Sequence, residues 1–233
     1  GVGGDTDLEV TTGSIETKKI FSQTQLERAD ISLSTQIIDD ASIVGLTDAQ
    51  LTSLINTEIV NAGDNGTVEF QFTSDQRINL TSRLEIRDTS ENLTITSTGA
   101  GKVTFDSISN TSNRHVQIFS NSGDITFNDL HFENCSGTGF NTDAGVTLTF
   151  SNSTFTGNTG RLISTAGDVT ITTSEFDVSG AQILESNATL TITDSTFTGT
   201  PAGGTEGFIE IRGTSTISNS TFYTTSSLNL IKV

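Results

Sequence analysis

The sequence contains few of the residues that build a wide core or cross-link a chain. Methionine and tryptophan are absent, and proline, cysteine and tyrosine each occur once in 233 residues. The single cysteine, Cys135, excludes a disulfide framework and a cysteine-based metal cluster. Large aliphatic residues are also sparse, so the chain is better suited to a solenoid, which needs only a few inward side chains per coil.

Positive charge is scarce as well. Lys and Arg number 11 against 28 Asp and Glu, which leaves a formal net charge of −17 at pH 7. This balance argues against nucleic acid, whose phosphates require a basic face, and against an anionic membrane surface. No run of about 20 apolar residues is present, so the sequence predicts no membrane-spanning helix.

Serine and threonine are abundant, at 70 residues together, and many lie in a repeated segment. The segment VTLTFSNSTFT (146–156) returns as DITFNDLHFEN (124–134), DVTITTSEFDV (168–178), ATLTITDSTFT (188–198) and TSTISNSTFYT (214–224). The last phenylalanine of each copy forms a predicted core ladder: Phe132, Phe155, Phe176, Phe197 and Phe222. Their spacings of 23, 21, 21 and 25 residues are typical of a solenoid in which each repeat is one coil.

Three strands are predicted in each coil. Positions seven and five before the last phenylalanine are mostly apolar and share one face of a strand. Asn and Asp, which tolerate the left-handed conformation, dominate the position three before it. This column predicts a sharp turn at Asp129, Asn152, Thr173, Asp194 and Asn219. A later apolar pair marks the third strand at Leu162-Ile163, Ile183-Leu184 and Phe208-Ile209, with Leu228 and Leu230 continuing it. A β-sandwich is disfavoured, because it would not repeat the same residues in the same turn five times.

One helix is expected, over about residues 48–61. Thr47-Asp48-Ala49-Gln50 has the S/T-x-x-Q form of a capping box, and an apolar stripe follows at Leu51, Leu54, Ile55 and Ile59. The stripe needs a partner, and the open end of the solenoid is the natural one, because covering that edge blocks unwanted strand pairing.

These patterns divide the chain into an extended arm (1–40), a capping-helix segment (41–65) and a parallel β-helix (66–233). The arm either packs as irregular edge strands along the solenoid or pairs with another chain. The chain begins with Gly1, as expected of a mature chain that has lost a signal segment.

The segment LTSLINTEIVNAGDNGTVEFQFTSDQRINLTSRLEIRDTSENLTITSTGAGKVTF (51–105) carries a family resemblance. It resembles the opening of right-handed parallel β-helix proteins of the pectate-lyase-like class, and the resemblance covers roughly residues 48–225. Such proteins open with a capping helix, a "GDT-I-F" strand, an "I-L-T-S-L-I" coil and then "NLTI-G-G". The resemblance implies an all-β fold, a single-stranded right-handed parallel β-helix (solenoid) with an N-terminal capping α-helix, and the residue pattern adds the extended N-terminal arm. The class contains lyases, hydrolases, phage tailspikes and surface adhesins, so the fold does not decide the function.

Catalytic motifs are missing or incomplete. Asn141-Thr142-Asp143 is similar to the NTD motif of polygalacturonases, but the companion DD, HG and RIK motifs do not follow it. His115 and His131 are the only histidines, and strand alternation turns His131 to solvent. The sequence shows no nucleophile elbow, phosphate loop or metal-ligand spacing, so we predict no catalytic residues, no metal and no cofactor.

Asp124 and Asp168 open equivalent strands two coils apart, where calcium could bind. Gly145-Val146 interrupts that ladder in the coil between them, so solvated turns explain the two residues better.

Half of the sixteen asparagines lie in N-x-S/T sequons: Asn65, Asn79, Asn92, Asn110, Asn134, Asn152, Asn187 and Asn219. If the source organism glycosylates exported proteins, we expect sugar at Asn152 and Asn219, which are predicted to point outward at the turn.

The sequence therefore predicts a secreted or cell-surface structural or adhesive protein without enzymatic activity. Its expected partners are further copies of the chain, in a homo-oligomer or head-to-tail filament formed through the arm 1–40 and the open C-terminal coil, and glycans. The alternatives are a carbohydrate-active β-helix enzyme or tailspike-like glycan binder, and a fragment of an autotransporter-like passenger.

Overall fold

Three parallel β-sheets wind around a common core in a computed structural model of the chain, forming a β-solenoid of about six turns. The structure describes residues 35–62, 67–73, 75–87, 92–112, 114–119, 123–142, 145–180, 182–201, 208–224 and 231–232. The predicted fold class, a parallel β-solenoid with few helices, is confirmed.

Each coil contributes one strand to each sheet, in the order sheet A, sheet B, sheet C. The elements before the first coil are β1 (Thr35–Ile38), α1 (Asp40–Ile43) and α2 (Asp48–Ala62). The coils are then β2 (Thr67–Phe72), β3 (Arg77–Asn79) and β4 (Leu84–Arg87); β5 (Asn92–Ser97), β6 (Val103–Asp106) and β7 (Val116–Phe119); β8 (Ile125–Asn128), β9 (Leu130–Glu133) and β10 (Phe140–Thr142); β11 (Leu148–Ser151), β12 (Thr154–Asn158) and β13 (Ile163–Thr165); β14 (Val169–Thr172), β15 (Glu175–Gly180) and β16 (Leu184–Ser186); β17 (Leu190–Thr193), β18 (Thr196–Pro201) and β19 (Ile209–Ile211); β20 (Ser215–Ser218), β21 (Thr221–Thr224) and β22 (Ile231–Lys232). Sheet A also includes β1, which pairs with β2.

A column of stacked phenylalanine rings runs through the core beneath sheet B. Phe132, Phe155, Phe176, Phe197 and Phe222 stack in that order, with ring centroids 4.2–5.3 Å apart and ring planes 8–15° from parallel. The first four are buried, and burial of each stabilises the fold by about 1.5–3 kcal/mol. Phe222, in the last described coil, is half-buried.

The turn between sheets A and B is made by the predicted column. Its five residues have φ between 46° and 57°, in the left-handed region, which confirms the turn at Asp129, Asn152, Thr173, Asp194 and Asn219. The serine that follows points inward and links the coils. The Ser153 N–H donates to Ser174 Oγ at 3.1 Å, and the Ser174 N–H donates to Ser195 Oγ at the same distance.

The first coil is covered by α2, which begins in the predicted capping box. The Thr47 N–H donates to Gln50 Oε1 at 2.9 Å, and the Gln50 N–H donates back to Thr47 Oγ1 at 3.3 Å. Asn56 covers the edge of β4, because its Nδ2 donates to the Glu85 carbonyl at 2.7 Å and its Oδ1 accepts from the Arg87 N–H at 2.9 Å. This amide satisfies the two groups that a neighbouring strand would otherwise bond.

Asp48 fastens the start of α2 to the first coil. Its Oδ2 accepts hydrogen bonds from the N–H groups of Ser82 (2.6 Å) and Thr81 (2.9 Å), and from both hydroxyls. Burial alone would raise the pKa of Asp48, but these hydrogen bonds outweigh it and hold the pKa below its usual value.

Only residues 35–40 of the predicted arm lie within the described residues. There β1 pairs in parallel with β2 of the same chain, with Thr35 opposite Thr67. Residues 1–34, Leu228 and Leu230 lie outside the described residues, and β22 continues sheet C through Ile231, opposite Ile209.

Candidate binding face of the solenoid

The outer surface of sheet C carries most of the arginines of the solenoid. Its central outward column follows the strand register: Glu85, Gln117, Asn141, Ser164, Glu185, Glu210 and Lys232. Five arginines contact this column: Arg83, Arg87, Arg114, Arg161 and Arg212. We call the column and these arginines the arginine face.

Glu185 and Glu210 form the centre of an ion-pair network on this face. Arg161 Nη1 lies 2.5 Å from Glu185 Oε2, and Arg212 Nη1 lies 2.7 Å from Glu185 Oε1. Arg212 Nη2 also contacts Glu210 Oε1 at 3.0 Å. A hydrogen bond from Gln182, with the nearby Arg212, lowers the pKa of Glu210 against the opposing effect of burial. The Glu210 carboxylate therefore stays ionised and holds Arg212 in place.

Glu85 organises the end of the arginine face nearest α2. It pairs with Arg87 at 2.5 Å and with Arg83 at 3.0 Å, and the hydrogen bond from Arg87 lowers its pKa against the effect of burial. The Arg87 guanidinium carbon lies 4.3 Å from the ring centroid of Phe119, within cation–π range.

The arginine face has an excess of positive charge. Counting only the residues that the structure describes, six cationic side chains, the five arginines and Lys232, oppose three carboxylates, in a chain whose net charge is −17. The side chains of Arg87 and Arg212 are 53 % and 54 % exposed, so their guanidinium groups can bind a ligand while they remain paired with glutamate.

A second polar cluster lies on the outer surface of sheet B. Arg77 Nη2 lies 2.6 Å from Asp106 Oδ2 and contacts Glu133, which in turn lies 3.1 Å from His131 Nε2. Burial raises the pKa of Asp106, but hydrogen bonds led by that from Asn134 outweigh it and the pKa is lowered. Asp106 is therefore an anion at neutral pH, and it is poorly suited to donate a proton.

The other histidine lies inside the core. His115 is fully buried, with Nδ1 2.7 Å from Ser107 Oγ and Nε2 3.2 Å from Asn158 Oδ1. The same Asn158 oxygen accepts from the Cys135 N–H at 2.9 Å. Burial lowers the pKa of His115 to about 4 and raises the pKa of the Cys135 thiol. This network is shielded from solvent, so its role is to satisfy buried polar groups.

The residues of the NTD-like segment do not converge on one site. Asn141 points outward on the arginine face, and its Nδ2 donates to Gln117 Oε1 at 3.1 Å. Thr142 points inward and is 2.5 Å from Thr165 Oγ1, while Asp143 lies outside the described residues.

Asp124 and Asp168 are exposed at the starts of their strands, and Asp168 Oδ1 accepts the Thr189 N–H at 2.9 Å. Among the described residues, no group of three or more His, Cys, Asp or Glu side chains is arranged to hold a metal ion.

The sequons differ in accessibility. Asn110 is buried, and its Nδ2 donates to the Arg114 carbonyl at 2.5 Å. Asn134 is half-buried and donates to Asp106 at 2.8 Å, and Asn65 lies outside the described residues. The exposed sequon residues are Asn79, Asn92, Asn152, Asn187 and Asn219. Asn152 and Asn219 have positive φ at the turn, where a glycan would extend away from the core.

Comparisons with protein-family models, with curated protein sequences and with solved structures find no match to this chain. The geometry is therefore the basis for assigning the solenoid fold. Within the part of the chain that the structure describes, no helix has the length and apolar character needed to cross a membrane.

The arginine face was not recognised from the sequence, although a signal was present. The third-strand alignment places a polar residue directly after each apolar pair, as at Ser164, Glu185 and Glu210. Extending that alignment back to Leu84 would have placed Glu85 in the same column. The flanking arginines lie outside the strict repeat, so only the folded coil brings them together.

Proposed function

We propose that the chain is a non-enzymatic, extracellular adhesive protein that binds anionic polysaccharides along the arginine face. The observation that carries this proposal is the concentration of five of the six arginines after residue 34 on one outer face of a strongly acidic chain. Guanidinium groups bind carboxylate and sulfate groups through paired hydrogen bonds, which makes an anionic glycan the matching ligand.

The arrangement of the arginines along the axis supports a polymeric ligand. Arg114 and Arg161 both lie two residues before a strand of sheet C, in coils two apart. Two coils correspond to about 10 Å, since neighbouring strands are about 4.8 Å apart. A polysaccharide lying along the face can contact several such positions at once, so weak contacts add up to firm adhesion.

The carboxylates of the solenoid support binding over catalysis. The pKa values of Glu85, Asp106 and Glu210 are all lowered by their hydrogen-bond partners, against the effect of burial. Glycoside hydrolysis needs a carboxylic acid whose pKa is raised, so that it can protonate the leaving group.

The test is binding of the purified chain to immobilised polygalacturonate and chondroitin sulfate, with neutral dextran as reference, by biolayer interferometry. The double variant Arg161→Gln/Arg212→Gln should bind at least tenfold more weakly, because each charge-assisted hydrogen bond contributes about 1.5–3 kcal/mol. Raising NaCl from low to high concentration should weaken wild-type binding as well. Arg77→Gln is the control, since it removes the same side chain from sheet B.

Equal binding to dextran, or unchanged binding by the double variant, would contradict the proposal. Steady release of reducing ends or unsaturated sugars during incubation with polygalacturonate would favour the carbohydrate-active enzyme instead.

A second candidate function, self-assembly, is favoured by the last described coil. Ile217 and Phe222 are half-buried there, whereas the equivalent residues Ile192 and Phe197 of the preceding coil are fully buried. Among the described residues, β20, β21 and β22 pair with a neighbour on one side only. At the opposite end, Asn56 occupies the edge of β4, so a head-to-tail contact there does not extend sheet C.

Negative-stain microscopy and sedimentation velocity test this assembly. Filaments or concentration-dependent oligomers that disappear in Phe222→Asp would support it. A wild-type chain that stays monomeric at high concentration would contradict the self-assembly proposal. It would leave the proposal of glycan binding by the arginine face unchanged.

A further inference from the structure

The outer surface of sheet A carries a two-column array of uncharged polar side chains, all of which bear a hydroxyl except Asn128. The first column is Thr94, Thr126, Thr149, Thr170, Thr191 and Thr216, aligned by the parallel strand register. The second column, two residues further along each strand, is Thr96, Asn128, Ser151, Thr172, Thr193 and Ser218. We call this array the hydroxyl face.

The hydroxyl face is a regular lattice. Parallel strands are about 4.8 Å apart, and two residues along a strand span about 6.6 Å, so the two columns form six nearly equal rows over about 24 Å. The register is unbroken along both columns, since each residue lies directly opposite its counterpart in the next coil and no bulge interrupts the five strand pairs.

The hydroxyls of the first column are available to a ligand. Within the described residues, none of these six hydroxyls makes a hydrogen bond to the protein. Threonine is branched at Cβ, so its χ1 angle is restricted and its hydroxyl and methyl groups keep fixed positions on a strand. The face is therefore organised before any ligand arrives.

The preference of threonine for strands does not explain the absence of charge from this face. The corresponding outward column of sheet B contains Arg77, His131 and Glu175 among its threonines. Sheet C carries the arginine face. Over six consecutive coils, both columns of the hydroxyl face are free of charged residues, and the exposed carboxylates of Asp124 and Asp168 lie along its edge, two residues before Thr126 and Thr170.

A periodic array of this kind matches a periodic ligand. Soluble small molecules bind in single concave sites that enclose them, whereas the hydroxyl face repeats the same group in every coil. Ice presents water oxygens at repeating distances on a plane, on the scale of these rows and columns. Hydroxyls can join that lattice, methyl groups can fit between its oxygens, and many weak contacts act together. We propose that the hydroxyl face binds ice and slows its growth.

The experiment measures thermal hysteresis, the gap between melting and freezing of a seed crystal, together with the fraction of chain incorporated into a growing ice hemisphere. We expect wild type to show both effects. Thr170→Lys places a long charged side chain in the middle of the lattice and should reduce the hysteresis at least fivefold. Thr196→Lys is the matched control, because Thr196 points outward from sheet B one coil away and is also half-buried.

Two further measurements separate a binding defect from a folding defect. Both variants must keep the circular dichroism spectrum and the urea unfolding midpoint of wild type, and Thr170→Ser provides a mild second variant that keeps the hydroxyl. The proposal is overturned if wild type is excluded from ice, if Thr196→Lys loses as much activity as Thr170→Lys, or if the chain adsorbs to crystalline cellulose and chitin but not to ice.

Discussion

The hydroxyl face and the arginine face are built on the same coils but differ in how their side chains are satisfied. On the arginine face, Glu185 is held between two arginines at 2.5 and 2.7 Å, so both of its carboxylate oxygens have a protein partner. On the hydroxyl face, the Thr149 and Thr170 hydroxyls have no partner among the described residues. The inward side chains of both sheets are mostly apolar, and the inward Thr142 and Thr165 of sheet C bond to each other. The contrast teaches that the solenoid core constrains one side of each strand and leaves the other free to acquire separate chemistry.

The largest predicted effect concerns the core that both faces share. Phe176→Ala should lower the free energy of unfolding by about 3–5 kcal/mol, because it opens a cavity in the middle of the stacked column. Phe222→Ala is the control, and it should cost about half as much, since Phe222 stacks on one side only and is half-buried. Urea unfolding followed by circular dichroism measures both. Equal losses for the two variants would mean that the column does not act as a continuous core.

The next largest effect is a pH dependence that originates beneath the arginine face. Burial lowers the pKa of His115 to about 4, below the value of about 6.5 in the unfolded chain. Between these values the unfolded chain binds the proton and the folded chain does not. This residue's contribution to stability is therefore complete above pH 6.5 and is lost as the pH falls toward 4, by on the order of 3 kcal/mol.

His115→Gln should flatten this part of the stability profile, whereas His131→Gln, on the outer surface, should leave it in place. Urea midpoints between pH 7 and pH 4 measure the difference. Parallel profiles for wild type and His115→Gln would show that other groups cause the loss at low pH.

The smallest predicted effect separates the two faces directly. Glu185→Gln removes a charge between Arg161 and Arg212 and should lower the unfolding free energy by about 1 kcal/mol, less at 1 M NaCl because salt screens ion pairs. Thr170→Val on the hydroxyl face should change stability by less than about 0.5 kcal/mol at any salt concentration, since it removes no hydrogen bond within the protein. Chemical denaturation of both variants at two salt concentrations measures these changes in unfolding free energy. A salt-dependent loss in Thr170→Val would show that the faces are not electrostatically distinct.

Much of the fold could be predicted because several copies of the repeat show the same residue pattern. Asn152 and Asp194 adopt the left-handed turn that their residue types favour, and the last phenylalanine of each repeat stacks in register. The capping box of Thr47 and Gln50 could also be predicted, because its hydrogen bonds join residues that are close in the sequence. The role of Asn56 could not be predicted, because its partners Glu85 and Arg87 lie 29 and 31 residues further along the chain.

The sequence by itself determined the coil: which side chains face inward, where the turn falls, and how many residues make one turn. These properties follow from alternation and from backbone preference, which act over a few residues. Only the tertiary structure decided what the outer surfaces carry. Arg161, Glu185 and Arg212 come from three different coils, and the threonines from Thr94 to Thr216 become a lattice only when the strands stack in register. Contacts between coils depend on stacking, and no single repeat contains that information.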